Sequence, residues 1–61
     1  MEYDIYLRKA DQTVVEHTRT KDPVRALDIF FALCDREDLV GKSMEATVSS
    51  HDEGIARHRF A

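Results

Sequence analysis

Three histidines and one cysteine are the side chains here best suited to chemistry. His17, His51 and His58 belong to the type that binds metals or moves protons near neutral pH. Their spacing argues against both roles. No pair stands one helical turn apart beside a carboxylate, and no Cys/His set has zinc-site spacing. His51 falls in a turn, and His17 and His58 approach one another only if their strands turn the same face. All three read as histidines at the margin of a core. Cys34 lies on the apolar side of a helical stretch, near its C-terminal end. The partial negative charge there disfavours a thiolate, so Cys34 reads as a structural residue. Gly41 and Gly54 are the only glycines, too few for a phosphate-cradling loop. A chain this short also lacks the walls of a ligand pocket of about 300 Å³ or more. The expectation is no catalysis, no metal and no cofactor.

The elements that carry these residues follow from composition and pattern. The chain has 61 residues, 43% hydrophobic and 34% charged, with nine Lys+Arg against twelve Asp+Glu for a net charge of −3. That is the composition of one globular domain, 1–61, and it excludes a disordered chain, a polybasic nucleic-acid tail and a two-domain enzyme. Such a domain buries only about 60% of the surface its unfolded chain exposes. Its stability margin is about 3–5 kcal/mol. One cysteine makes no intrachain disulfide, which leaves an efficient core or the pairing of two copies into a homodimer. Met1 is followed by Glu-Tyr-Asp rather than a basic and apolar leader, and the longest apolar run, residues 29–34, is far short of the ~20 residues of a membrane span. A reducing cytoplasmic setting away from membranes is expected.

Residues 3–9 alternate, with Tyr3, Ile5 and Leu7 on one side and Asp4, Tyr6 and Arg8 on the other, as a half-buried strand does. Residues 13–19 are rich in β-branched residues and form a second strand whose inner side, Val14 with Glu16 or Val15 with His17, stays open. Asp22-Pro23 is a helix start, with an N-cap acceptor followed by a proline at N1. The helix is expected from Pro23 to about Arg36. Leu27, Phe30, Phe31 and Cys34 cluster inward, flanked by Val24, Ala26 and Leu33; Arg25, Asp28, Ala32, Asp35 and Arg36 face outward, with Ile29 at the boundary. Gly41 ends an irregular turn. Residues 43–50 alternate with Met44, Ala46 and Val48 inward. His51-Asp52-Glu53-Gly54 forms a turn in which Gly54 supplies a positive φ. Residues 55–60 close as a strand with Ala56 and Phe60 toward the helix. The fold class is α+β: a two-layer β-β-α-β-β domain, one helix on a four-stranded, mainly antiparallel sheet, with 2-1-3-4 the preferred strand order.

Two surfaces are candidates for binding. Residues 22–42 hold Asp22, Asp28, Asp35, Glu37 and Asp38 against Arg25, Arg36 and Lys42, so the acidic excess sits on the helix and the loop after it. Asp28, Asp35, Glu37 and Asp38 would steer a protein partner with a basic surface, with Ile29 as apolar anchor. The sheet face away from the helix would carry Tyr6, Arg8, Arg57 and Arg59, the rival site for a nucleic acid. One outward tyrosine on an acidic chain makes nucleic acid the less favoured partner.

The stretch from Asp22 to Leu33, followed by Asp38-Leu39-Val40-Gly41 and the closing Arg57-His58-Arg59-Phe60, resembles short proteins of proteobacterial mobile elements. Small, acidic, single-domain proteins of that origin include anti-CRISPR inhibitors. The resemblance lies in size, charge and layout. It implies a non-enzymatic phage or mobile-element inhibitor that occupies the basic surface of a CRISPR effector, and it assigns no residue a role.

Overall fold

The structure, a computed structural model, describes residues 1–51 and 53–60. The order is β1 (Tyr3–Arg8), β2 (Val14–Thr20), α1 (Pro23–Cys34), a 3₁₀ turn (Glu37–Leu39), β3 (Glu45–Ser50) and β4 (Glu53–Arg59). The strands form one antiparallel sheet ordered β2-β1-β3-β4, so the α+β β-β-α-β-β arrangement and its strand order are as expected.

The helix begins where the sequence places it. The Asp22 carboxylate accepts from the backbone N–H of Val24 at 2.9 Å and of Arg25 at 3.5 Å, and Pro23 opens the first turn. Removing such a cap costs typically about 1 kcal/mol. Asp22→Ala is therefore expected to lower the urea midpoint measurably while leaving the native circular dichroism spectrum unchanged. The helix ends at Cys34 instead of reaching Arg36. The Arg36 backbone turns extended (φ −75°, ψ 112°), and its guanidinium donates to Asp38 at 2.9 and 3.2 Å and to Glu16 of β2 at 2.7 Å. This fork ties the end of the helix to the β2 edge.

The core is Ile5, Leu7, Ala26, Phe30, Leu33, Leu39, Met44, Ala46, Val48 and Phe60. The alternation read in residues 3–9 and 43–50 holds, and Phe60 packs inward with Ala56 half-buried beside the core. The helix face differs. Ala26, Phe30 and Leu33 meet the sheet and Ile29 packs half-buried against them, whereas Leu27 is 40%, Phe31 57% and Val24 67% exposed. Relative to the expected face, the helix is turned by about a quarter turn. Apolar residues nearly encircle this helix, so periodicity alone does not choose between its two apolar arcs. Small Ala26, set against a sheet face that includes fully buried Ala46, allows close approach on the arc observed.

Both edge strands carry a β-bulge. Leu7 pairs with Glu16 and Arg8 with Val14, skipping Val15. Val48 pairs with Ala56 and Ser49 with Gly54, skipping Ile55. The first bulge resolves the open question in β2: Glu16, Thr18 and Thr20 share the helix side with Leu7, Ile5 and Tyr3, while His17 and Arg19 join the far face. In the turns, positive φ falls on Gln12 (72°), Gly41 (82°), Ser43 (56°) and His51 (51°). Gly54 lies within β4 without one, so His51 takes the left-handed conformation expected of Gly54; Asp52 lies outside the described residues.

Candidate functional site

Register builds the sheet's open face in rows. One row runs His17, Tyr6, Thr47, Arg57 across all four strands; the next holds Arg8, Glu45 and Arg59. Tyr6, Arg8, Arg57 and Arg59 are thus on one face, as expected. Their surroundings change what they can do. The His17 ring stacks on Tyr6 with centroids 4.3 Å apart and planes 4° from parallel. The Arg8 guanidinium lies 4.2 Å from the Tyr6 centroid and donates to Thr47 Oγ1 at 3.1 Å. His17 comes from the β2 side and Arg8 reaches toward β3, so the phenol is sandwiched and both ring faces are occupied. A nucleobase could stack on Tyr6 only by displacing one of these neighbours.

Charges on the same face are mostly matched within the sheet. Asp4 Oδ1 lies 2.8 Å from His17 Nε2 and accepts from Arg19 Nε at 2.8 Å; Glu2 is 3.4 Å from Arg19 Nε, and Glu45 is 3.6 Å from Arg59. Among the described residues, Arg8 and Arg57 are in no ion pair. The hydrogen bond from Arg19, and after it that from His17, hold the Asp4 carboxyl below its ordinary value of 3.8. A carboxylate depressed on folding adds stability above its unfolded value and loses it as pH falls through the folded one. Asp4→Asn is therefore expected to flatten the fall of melting temperature as pH drops below about 4. An acid limb identical to the wild type would show that the Asp4 cluster does not feel folding.

The histidines do not assemble. His17 is on the open face at the β2 edge, His58 is on the helix side at the β4 edge with its ring against Phe60, and His51 is in the β3–β4 turn. Among the described residues no group of three or more His, Cys, Asp and Glu converges, and no helix is long and apolar enough to cross a membrane. Cys34 is half-buried, and its thiol is pushed up by burial and then by Asp35.

The outer pole of α1 is the more distinctive surface. Val24, Phe31, Asp28 and Asp35 fall within about 60° of one another around the helix, and all four are exposed. Glu37 and Asp38 continue the acidic edge in the 3₁₀ turn. Two expected contacts need correction. Ile29 packs against the core, because the helix turns that arc inward, and Phe31 takes its place as the exposed apolar residue. Asp38 is committed to the Arg36 guanidinium, which lowers its pKa, so among the described residues Asp28, Asp35 and Glu37 carry the unmatched charge. The signal that could have found Phe31 was the surplus of apolar residues on a helix with only one sheet to cover.

Compared with known proteins, the chain matches no family model, no curated protein and no solved structure.

Proposed function

We propose that this chain is a non-enzymatic protein-binding module that uses the outer pole of α1 to engage a partner with an apolar pocket rimmed by lysines or arginines. The observation that carries this reading is Phe31, 57% exposed beside Val24 and flanked by Asp28 and Asp35. Burying a phenylalanine ring gives about 1.5–3 kcal/mol, enough for an anchor. The adjoining carboxylates contribute encounter rate and orientation. The sharpest form of the proposal takes its partner from the resemblance in size, charge and layout: a CRISPR effector, inhibited by occupation of its basic surface.

Interference assays in a CRISPR-active host, paired with binding kinetics on the purified effector, test both parts. The wild-type chain is expected to suppress target cleavage. Asp28→Lys with Asp35→Lys should slow association by about tenfold or more, with the largest effect at low salt. Phe31→Ala should speed dissociation. If no effector is bound, the CRISPR assignment fails. If a partner captured from the native host binds both variants as it binds the wild type, the outer pole is not the site.

A further inference from the structure

The open sheet face divides electrically along β1. On the β2 side, Glu2 and Asp4 face Arg19 and His17. On the β3 and β4 side, Arg8, Arg57 and Arg59 stand against Glu45. Glu45 is held by Arg59 at 3.6 Å, so the charges left over there are those of Arg8 and Arg57. Both converge on Thr47. Arg8 stands opposite Glu45 but makes no ion pair with it, and its Nη1 donates instead to Thr47 Oγ1 at 3.1 Å. Arg57 pairs with Thr47 across β3 and β4. It is exposed and, among the described residues, makes no side-chain hydrogen bond and no ion pair. Beside Thr47 the bulged β4 leaves an open hollow of about 420 Å³, lined by Thr47, Ser49, Gly54, Ile55 and Arg57, with Glu45 also at its wall. Gly54 opposes Ser49 on this face, and a Cβ added to it meets no atom within 4 Å.

From this we infer that the open face holds a small phosphate monoester, its phosphate between Arg8 and Arg57 over Thr47 and its body in the hollow. Donors outnumber acceptors at this point. A guanidinium has five N–H groups and accepts nothing, and a threonine hydroxyl that already accepts from Arg8 keeps its own proton to donate. A phosphate monoester carries about −1.5 to −2 charges at pH 7 and three acceptor oxygens, matching two guanidiniums and one hydroxyl. A carboxylate, with one charge and two oxygens, leaves one guanidinium unmatched. A nucleic-acid strand needs phosphate contacts in series and free rings for stacking. Here the unmatched charge is gathered at one point, and both faces of Tyr6 are occupied. The hollow is open, so charge supplies most of the affinity and added salt weakens it. The site lies on the side of the sheet away from α1 and is independent of the outer-pole reading.

Amide and arginine side-chain NMR titrations of the full chain test this, at about pH 7.5 where the ester is mostly dianionic. The probes are inorganic phosphate and glycerol phosphate, with sodium chloride and sodium acetate at matched ionic strength as controls. Both phosphates are expected to give saturable shifts centred on Arg8, Thr47 and Arg57, with a Kd on the order of 1 mM. Arg57→Gln is expected to weaken both about fivefold or more. Gly54→Val fills the hollow and is expected to weaken glycerol phosphate while sparing inorganic phosphate. Arg57→Gln, at an exposed and unbonded position, keeps the test decisive if the glycine variant does not fold. Shifts that do not saturate, that chloride reproduces, or that acetate matches overturn the inference. So does an Arg57→Gln chain that binds phosphate as the wild type does, or a folded Gly54→Val chain that binds glycerol phosphate unchanged.

Discussion

Phe30→Ala is expected to leave the chain unfolded at 25 °C, while Phe31→Ala leaves it folded. The two rings are neighbours in sequence, 5.8 Å apart between centroids. Phe30 is 5% exposed and enters the core; Phe31 is 57% exposed. Truncating a buried phenylalanine costs about 3–5 kcal/mol, the transfer energy of the ring plus the cavity it leaves. A domain this small holds about the same amount in total. An exposed ring away from such packing is worth within about 0.5 kcal/mol. Circular dichroism with urea titration separates the outcomes: no folded baseline for the first variant, a near-native midpoint for the second. Equal midpoints would mean that the helix presents a different arc to the sheet.

Ala26→Leu is expected to lower the melting temperature on the order of 5–20 °C, the equivalent of about 1–3 kcal/mol of overpacking in a small domain. Ala26 is 1% exposed, and it shares the core with Ala46, which is 0% exposed. Two small residues in that layer bring the helix backbone close to the sheet, and a leucine must push it away. Helix propensity differs little between the two residues, so a loss reports packing. Ala32→Leu, the same substitution at an exposed position of the same helix, is expected to change the melting temperature little. Equal effects at both positions would contradict the close approach.

These predictions turn on the part of the molecule that was hardest to read in the sequence. The strands β1 and β3 were legible because one side of each is apolar and the other polar, and a period of two leaves no third choice. Asp22-Pro23 was legible because its chemistry is local. The helix face was not, since Val24, Leu27 and Phe31 form an arc as apolar as Ala26, Ile29, Phe30 and Leu33. The choice between them lies in tertiary packing. β2 was ambiguous for a related reason: the bulge at Val15 shifts the alternation partway along the strand, and no residue type there announces it. The β3–β4 turn places its left-handed residue at His51 and not at the glycine, because Gly54 already belongs to β4. In the candidate site, Asp28 and Asp35 could be placed outward from the period alone. Their apolar companion Phe31 could not, because that required knowing the rotation of the helix. The four open-face residues were placed correctly, but the sandwich around Tyr6 depends on the register of β2 against β1.

The strand order has a consequence for how the chain is made. Of the four described strands the earliest synthesised, β1, ends up in the interior of the sheet, between β2 and β3. Its first neighbour is complete once Thr20 is synthesised, but the second arrives only with Glu45–Ser50. At ordinary elongation rates that delay is roughly 2–6 seconds. Throughout it, Ile5 and Leu7 belong to an incomplete nascent hairpin with no finished apolar layer to bury them. The growing polypeptide is therefore open to chaperones and proteases until β3 and β4 have emerged, and their arrival converts it from client to folded product.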